Sequence, residues 1–247
     1  MKLINITNLS KTYHTKEKEI LSIDDISLDI NESEIISIIG PSGCGKSTLL
    51  NTLTNLENPS IGKISANKPL ILGYMMQNDA LLPWLTVKNN ALLGLKLQHK
   101  LTNENINYVD ELLKRYGLYE FKDNYPDNLS GGMRQRLALI RTLAIKPNIL
   151  LLDEPFSKLD IDSRITISDD VYKIIKELNI TTILISHDIA EAISLSDRII
   201  VLTKRPTKIK RIYDIDLNEY DSPSGKRQTP EFNKLYKMIW SDIDHVS

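Results

Sequence analysis

The feature that most constrains this chain is a glycine-rich loop between an apolar run and a helical pattern. The loop reads GPSGCGKS at residues 40–47 and fits the spacing G-x-x-x-x-G-K-[ST]. A β-branched run at residues 35–39 precedes the loop, and leucines at helical spacing follow it from Leu49 to Leu56. A strand, loop and helix in this order let backbone N–H groups surround phosphate oxygens at the positive end of the helix. The segment therefore predicts a nucleoside triphosphate site.

The side chains of this loop have different expected roles in binding. Lys46 supplies a mobile cation for the β- and γ-phosphates, and Ser47 supplies a hydroxyl for Mg²⁺. A glycine turn that only caps a helix is the structural alternative, and the complete motif disfavours it. For Cys44, a reactive thiolate at a helix N-terminus and a small residue that merely fits are both open. The predicted nucleotide contacts in the loop are Gly40, Pro41, Ser42, Gly43, Cys44, Gly45, Lys46 and Ser47.

Two adjacent carboxylates follow a second apolar run. The run at residues 149–152 predicts a strand that delivers Asp153 and Glu154 to the carboxyl end of a sheet, where open α/β folds bind ligands. Phosphoryl transfer needs one group to organise Mg²⁺ and another to orient or deprotonate the attacking water. We assign Asp153 to the metal and Glu154 to the water.

Two further polar residues stand at predicted strand ends. His187 follows the run at residues 181–185, and we interpret it as a hydrogen-bonding group that senses the γ-phosphate. Gln77 follows the probable strand at residues 70–75, and its amide is placed to respond to Mg²⁺ or water. Neither residue is informative alone, and only the other motifs make both catalytic candidates, with Gln77 also a metal candidate.

The pattern of apolar runs predicts the fold class. Residues 1–30 alternate apolar and polar side chains, as half-buried antiparallel strands do. The later runs, including residues 198–202, are separated by helical stretches, which is typical of a parallel sheet covered on both faces. We predict an α/β fold: a phosphate-loop NTPase core with a mainly parallel sheet, an N-terminal antiparallel β layer and an inserted helical segment.

Composition excludes several classes. The 247 residues are 41% hydrophobic and 26% charged, which disfavours disorder, and the net charge of -1 provides no global field to hold nucleic acid. The apolar runs are far shorter than the roughly 20 residues of a membrane span. A single cysteine and an N-terminus without a signal-peptide pattern indicate the cytosol.

A second glycine-containing loop opens another helix. Residues 129–135 read LSGGMRQ, with Ser130 as the expected cap and Gly131 and Gly132 exposing backbone N–H groups. Two such loops of one compact chain cannot readily grip one phosphate group. The loop of one subunit is therefore expected to meet the nucleotide of another.

Taken in order, these motifs resemble those of ATP-binding cassette proteins, the nucleotide-binding subunits of membrane transporters. The resemblance implies binding of ATP with Mg²⁺ and a head-to-tail dimer with two composite sites, each combining the phosphate loop and carboxylates of one chain with Ser130 and Gly132 of the other. It also implies that Tyr13 stacks on adenine, although strand-edge packing is the alternative, and that Asp160 bridges the dimer seam. Lys158 departs from the small residue common in the family, and no role is transferred to it. The matching segments are Tyr13, GPSGCGKST ending at Thr48, Gln77, LSGGMRQR at 129–136, ILLLDEP at 149–155, SKLD at 157–160 and His187.

Two segments are similar to those of nitrate, sulfonate and taurine importer ATPases. They are residues 77–87 with Asn90, and residues 203–209, where Thr207 replaces the glycine of an Arg-Pro-Gly-Arg-Ile tail. This likeness implies an importer subunit, held at the cytoplasmic face of the membrane by integral permease subunits and served by an extracytoplasmic solute-binding protein, with no nucleic-acid partner. The apolar side chains of residues 81–84 either line a groove for a permease helix or form an ordinary core hairpin. An exporter cassette and a soluble cassette acting on nucleic acid or ribosomes are the alternative functions.

The sequence also predicts a domain division. We place a nucleotide-binding domain at residues 1–203, with its helical subdomain at about 84–136, and a short polar tail at residues 204–247. The tail contains a basic run at 204–211, interpreted as a solvated face, and one late helix near residues 232–240.

Overall fold

The computed structural model describes residues 1–16, 18–157, 159–217, 220 and 222–244, in two compact units. One unit comprises Met1–Leu70 and Asp169–Ser247, and the other comprises Ile71–Ser168. Lys158 lies outside the described residues. The predicted division at residue 203 stays a prediction.

An antiparallel sheet opens the first unit. Strand β1 (Lys2–His14) pairs with β2 (Glu19–Asn31) and with β4 (Ile61–Ala66). The register sets Ile6 opposite Leu28, both buried, which confirms the antiparallel layer expected from the alternation. Strand β4 was not predicted, because its mostly exposed side chains show no buried alternation.

A mostly parallel group of strands follows in the same unit. Strand β3 (Ile35–Ile39) lies between β7 (Thr181–Ile185) and β8 (Arg198–Leu202), and parallel pairing joins it to both. Every residue of β3 is buried, as in a sheet that is covered on both faces. Helix α1 (Lys46–Leu53) begins directly after the glycine loop that ends β3. The predicted strand–loop–helix order is therefore confirmed.

The residues after 203 contribute to the core of this unit. Strand β9 (Ile209–Asp214) pairs antiparallel with β8, and the short helix α7 (Pro223–Lys226) and α8 (Pro230–Asp244) follow. Tyr213, Phe232 and Ile239 share one apolar cluster with Ile39 and with α6 (Ile189–Leu195). The late helix is confirmed and is longer than expected. The basic run lies largely at the surface, where exposed Lys208 pairs with Asp24 at 2.9 Å.

The second unit combines two strands with helices. Strands β5 (Leu72–Met75) and β6 (Ile149–Asp153) are parallel, and α2 (Val87–Leu97) packs against α3 (Asn103–Arg115) and α4 (Gly131–Leu143). Helix α5 (Ile161–Leu178) contains the boundary between the units. Among the helices in the described ranges, none has the length and apolarity that a bilayer crossing needs. The α/β class with an inserted helical segment is confirmed.

Candidate nucleotide-binding site

The phosphate loop is held closed by its own lysine. Lys46 Nζ donates to the carbonyl oxygens of Gly40 at 2.8 Å and Pro41 at 3.1 Å. The Cys44 N–H also points inward, to the Pro41 carbonyl at 3.3 Å. The N-cap of α1 is Gly45, which makes no side-chain cap hydrogen bond. The first-turn N–H groups of this helix are therefore arranged as in an anion site.

Cys44 is a buried thiol. Its side chain is 2% exposed, and burial raises the pKa of the thiol above its ordinary value. The burial and the raised pKa favour the interpretation of Cys44 as a small residue that fits the loop. A reactive thiolate needs an exposed position and a lowered pKa.

Tyr13 is connected to the phosphate loop through polar contacts. Its hydroxyl donates to Glu57 Oε2 at 2.6 Å and lies 3.3 Å from the Thr48 hydroxyl. Burial and the Glu57 carboxylate raise the pKa of Tyr13. Asn51 of α1 donates to the other oxygen of Glu57 at 3.0 Å. Glu57 was not predicted, because nothing in the local sequence marks its contact with a strand so distant along the chain.

The turn between β8 and β9 also reaches the phosphate loop. Arg205 Nη2 donates to the Gly43 carbonyl at 3.0 Å, and the Thr207 hydroxyl donates to the Cys44 carbonyl. Neither contact was predicted from the sequence. The one available signal was the departure of Thr207 from the glycine of the similar tails.

The two carboxylates at the end of β6 have different partners. The Tyr74 hydroxyl on β5 lies 3.3 Å from Asp153 Oδ2, and burial together with this carboxylate raises the pKa of Tyr74 to about 12. Gln77 Nε2 donates to Glu154 Oε2 at 2.7 Å. The structure thus brings Gln77 and Glu154 together, as neither motif alone could predict, and adds Tyr74 to the expected set.

The backbone at Glu154 is unusual. Its φ is +46°, in the left-handed region that a non-glycine residue seldom occupies. Such strained residues persist when their surroundings fix them, and they cluster at functional sites. Eight other non-glycine residues among those described share a positive φ, so the backbone supports a fixed position for Glu154 and its contact with Gln77 marks the functional candidate.

The second glycine loop borders an open cleft of about 450 Å³. Ser130 caps α4, with its oxygen accepting from the Met133 N–H at 3.3 Å. Ser130, Gly131, Gly132 and Asp160 all line the cleft, so the structure brings these predicted residues together. Asp160 Oδ1 accepts from the Ser163 N–H at 2.9 Å, and the hydrogen bonds from Ser163 lower the pKa of Asp160.

His187 follows β7 in the turn before α6 and is exposed. The Ser186 hydroxyl accepts from the Asp188 N–H at 2.9 Å, and Asp188 caps α6. These contacts fix the backbone on both sides of His187. Its proposed sensing role stays a prediction.

The backbone at residues 81–84 is held by a buried asparagine, and the role of the apolar side chains in this segment stays a prediction. Buried Asn90 holds this backbone by donating to the carbonyls of Leu82, Leu85 and Thr86 and accepting from the Leu82 N–H. Trp84 is left 69% exposed. A groove of about 280 Å³ in the same unit is lined by residues that include Met76, Leu93, Leu97 and Ile145.

Comparison with known proteins agrees with these observations. The family described as ABC transporter matches residues 23–157. An uncharacterized ABC transporter ATP-binding protein, YtlC of Bacillus subtilis, is 39% identical over 100% of this chain and 97% of its own length. The nitrate import ATP-binding protein NrtD of Synechocystis sp. is 35% identical, over 95% of this chain and 88% of its own.

A solved structure is similar as well. It is the dimeric post-hydrolysis state of the ATP-binding cassette MJ0796, bound to ADP and Pi, with a TM-score of 0.74 and 31% identity over 86% of this chain and 98% of that one. The chain belongs to the ABC transporter family. It is an ATP-hydrolysing cassette that uses ATP and Mg²⁺.

Proposed function

We propose that this chain is the ATPase subunit of a multicomponent importer, in which two copies hydrolyse two ATP and drive solute uptake through a separate permease. The nitrate import relative supports import. The likeness of residues 77–87 and 203–209 to nitrate, sulfonate and taurine importer ATPases supports a solute of that class. The observation that carries the catalytic part is the hydrogen bond between Gln77 and Glu154, next to the metal candidate Asp153.

Glu154 orients or deprotonates the water that attacks the γ-phosphate. Its carboxylate accepts from the Gln77 amide, and its strained backbone indicates that its position is fixed. The same amide has a carbonyl oxygen at its other end, which is a hard ligand suited to Mg²⁺. Gln77 thereby links the water-orienting carboxylate to the metal.

The proposed metal ligands form a set that fits Mg²⁺. The Ser47 hydroxyl, the Asp153 carboxylate and the Gln77 carbonyl are all oxygen donors, which this hard cation prefers. When bound, Mg²⁺ neutralises charge on the phosphates. Tyr74, at 3.3 Å from Asp153, holds that carboxylate in place.

The remaining predicted residues bind the nucleotide. Lys46 and the N–H groups of the phosphate loop hold the β- and γ-phosphates, and Thr48 links this loop to the Tyr13 ring, on which adenine stacks. His187 hydrogen-bonds to the γ-phosphate and is counted with Glu154, Gln77 and Lys46 as catalytic.

Two copies assemble head to tail. Each copy presents Ser130, Gly131 and Gly132, with Asp160, to the nucleotide held by its partner. The open cleft that these residues line supports this arrangement, as does the dimeric state in the similar MJ0796 structure.

A permease docks on the second unit. The groove lined by Met76, Leu93 and Leu97 is largely apolar, and the Leu97 side chain is exposed at its edge. An apolar groove of this kind accepts the apolar face of a partner helix. Binding there holds the chain at the cytoplasmic face of the membrane, and solute choice lies with the permease and an extracytoplasmic binding protein.

Replacement of Glu154 tests the catalytic proposal. Glu154→Gln keeps the side-chain size but removes the base, so we expect MgATP to bind with unchanged affinity while turnover falls roughly 10²- to 10⁴-fold. Glu120→Gln, at an exposed position of the same unit, is the matched control and keeps full turnover. Unchanged turnover in Glu154→Gln would refute the assignment.

Copurification tests the transport proposal. The tagged chain, expressed at natural abundance and extracted in mild detergent, is expected to bring down a polytopic permease that stimulates its ATPase activity. A companion solute-binding protein indicates import. Recovery of ribosomes or nucleic acid without a membrane partner supports the soluble alternative, and recovery of a permease alone, with outward transport, supports an exporter.

A further inference from the structure

The turn between β8 and β9 is anchored to the first antiparallel sheet. The Thr207 N–H donates to the Ser22 carbonyl at 2.9 Å, and the Thr207 carbonyl accepts from the Asp24 N–H at 2.9 Å. Within the turn, the Thr203 N–H donates to the Lys208 carbonyl at 3.0 Å. Thr207 is fully buried. These bonds give the turn a fixed position independent of the phosphate loop.

Two side chains of this turn meet two consecutive carbonyls of the phosphate loop. Arg205 donates to the carbonyl of Gly43, and the Thr207 hydroxyl donates to that of Cys44. The approach is close, since a Cβ on Gly45 would lie 3.0 Å from the Thr207 hydroxyl oxygen. Together with φ of +125° at Gly45, this packing explains why glycine is needed there.

These two contacts also set the directions of the neighbouring N–H groups, because the peptide group is planar. The C=O of one residue and the N–H of the next belong to one rigid plane and point in opposite directions. A Gly43 carbonyl held outward by Arg205 therefore turns the Cys44 N–H inward, where it is found facing the Pro41 carbonyl. By the same geometry, the Thr207 contact with Cys44 turns the Gly45 N–H away from Thr207.

We propose that Thr207 and Arg205 are positioning residues. Thr207 orients the peptide group 44–45 so that the Gly45 N–H, with the N–H groups that follow it at the start of α1, faces the bound phosphates. Arg205 fixes the peptide group 43–44, whose N–H closes the loop on Pro41. The inference rests on the proposed function, in which this loop holds the phosphates of ATP. It also gives a reason for the threonine at position 207, since the glycine of the similar sequences has no hydroxyl to make this bond.

Loss of the Thr207 hydroxyl should weaken nucleotide binding. Thr207→Val keeps the shape but leaves the Cys44 carbonyl without this donor, and we expect roughly tenfold weaker binding of MgATP. Binding of MgADP should weaken by a similar factor, because these N–H groups contact phosphates that both nucleotides carry. Arg205→Gln, at an exposed position, should cost about threefold.

The experiment measures affinity for MgATP and MgADP by titration calorimetry in the full chain, with KM, kcat and thermal unfolding followed in parallel. Thr207→Ser restores the hydroxyl and should return the affinity to within about twofold of the original. Lys204→Ala is the matched control, since its side chain is exposed in the same turn, and it should bind as the original chain does.

The outcomes separate this inference from the proposed function. Raised KM with retained kcat in Thr207→Val, and rescue by Thr207→Ser, support positioning. Unchanged affinity in Thr207→Val, or lowered thermal stability with unchanged affinity, overturns it while the proposed function stands. Failure of the original chain and of Lys204→Ala to bind MgATP contradicts the proposed function itself.

Discussion

The two glycine loops of this chain differ in how their surroundings hold them. In the phosphate loop, the carbonyls of Gly40, Pro41, Gly43 and Cys44 all accept hydrogen bonds from side chains of the same unit. At the second loop, Ser130 caps α4 and the Leu129 carbonyl accepts from Arg134, and Gly131 and Gly132 border a cleft that is open to solvent.

A half-site is the part of a composite nucleotide site that one chain supplies. The first loop forms a half-site that can hold a nucleotide within its own chain, and the second loop forms one that needs a nucleotide held by a partner. A loop whose carbonyls are satisfied within its own unit presents its N–H groups to a ligand without help from another chain. A loop at a helix N-terminus that borders an open cleft leaves its anion-binding groups accessible to a nucleotide that another chain holds. The first loop is thus expected to bind ATP in a single copy, and the second to act only when a partner brings a nucleotide to it.

The largest effect is expected at Lys46. Lys46→Ala removes both the cation and the two hydrogen bonds that close the phosphate loop, so MgATP affinity should fall roughly hundredfold or more. Calorimetric titration at a concentration where the chain is monomeric checks this. Lys63→Ala on exposed β4 is the control. Near-normal binding by Lys46→Ala would contradict this difference between the loops, because ATP binding by one chain would then not depend on the phosphate loop.

A smaller effect is expected on the free energy of unfolding. It tests whether helix α7 is folded as part of the first unit. Lys226 on α7 is 1% exposed, its Nζ lies 3.3 Å from the Tyr172 hydroxyl, and burial lowers its pKa to about 8. Because the unfolded chain binds this proton up to a pH near 10.5, stability should rise with pH between about 8 and 10.5, by up to about 3 kcal/mol. Below about pH 8 the penalty of the buried charge is fully present.

Urea unfolding across that pH window is the measurement for Lys226. Lys226→Met should remove this part of the rise, whereas Lys234→Met, exposed on α8, should keep it. Parallel stability curves for the original chain and Lys226→Met would contradict a buried, neutralised lysine. They would also show that α7 is not a firm part of the unit that holds the phosphate loop.

The predictable parts of the molecule were those encoded by neighbouring residues. The phosphate loop, the alternating strands β1 and β2, and the carboxylates after β6 are local patterns, and each was found where expected. Strand β4 was missed because its side chains are mostly exposed on both faces, so burial leaves no period in its sequence.

The contacts that sequence could not supply join distant segments. Arg205 and Gly43 are 162 positions apart, and their contact depends on the register of β8 between β3 and β9. The same holds for Tyr13 with Glu57 and for Gln77 with Glu154. In the last pair both residues were predicted as functional, but their hydrogen bond was not, since nothing in either motif fixes their distance.

The smallest of the expected effects is that of a methyl group at Gly131. It tests the difference between the two glycine loops most directly. A Cβ at Gly131 would lie more than 4 Å from the described residues outside its own helix turn, and Gly131→Ala removes a glycine from the start of α4. Folding stability should therefore stay level or rise by up to about 1 kcal/mol. ATP affinity of the monomer should not change. ATP hydrolysis should nevertheless fall about tenfold, because the methyl enters space that the partner's nucleotide needs. The matched control is Asn103→Ala, at the same first helical position of α3. Full hydrolysis by Gly131→Ala would mean that no partner closes over this loop, and weaker ATP binding by its monomer would mean that the second loop is already part of the first half-site.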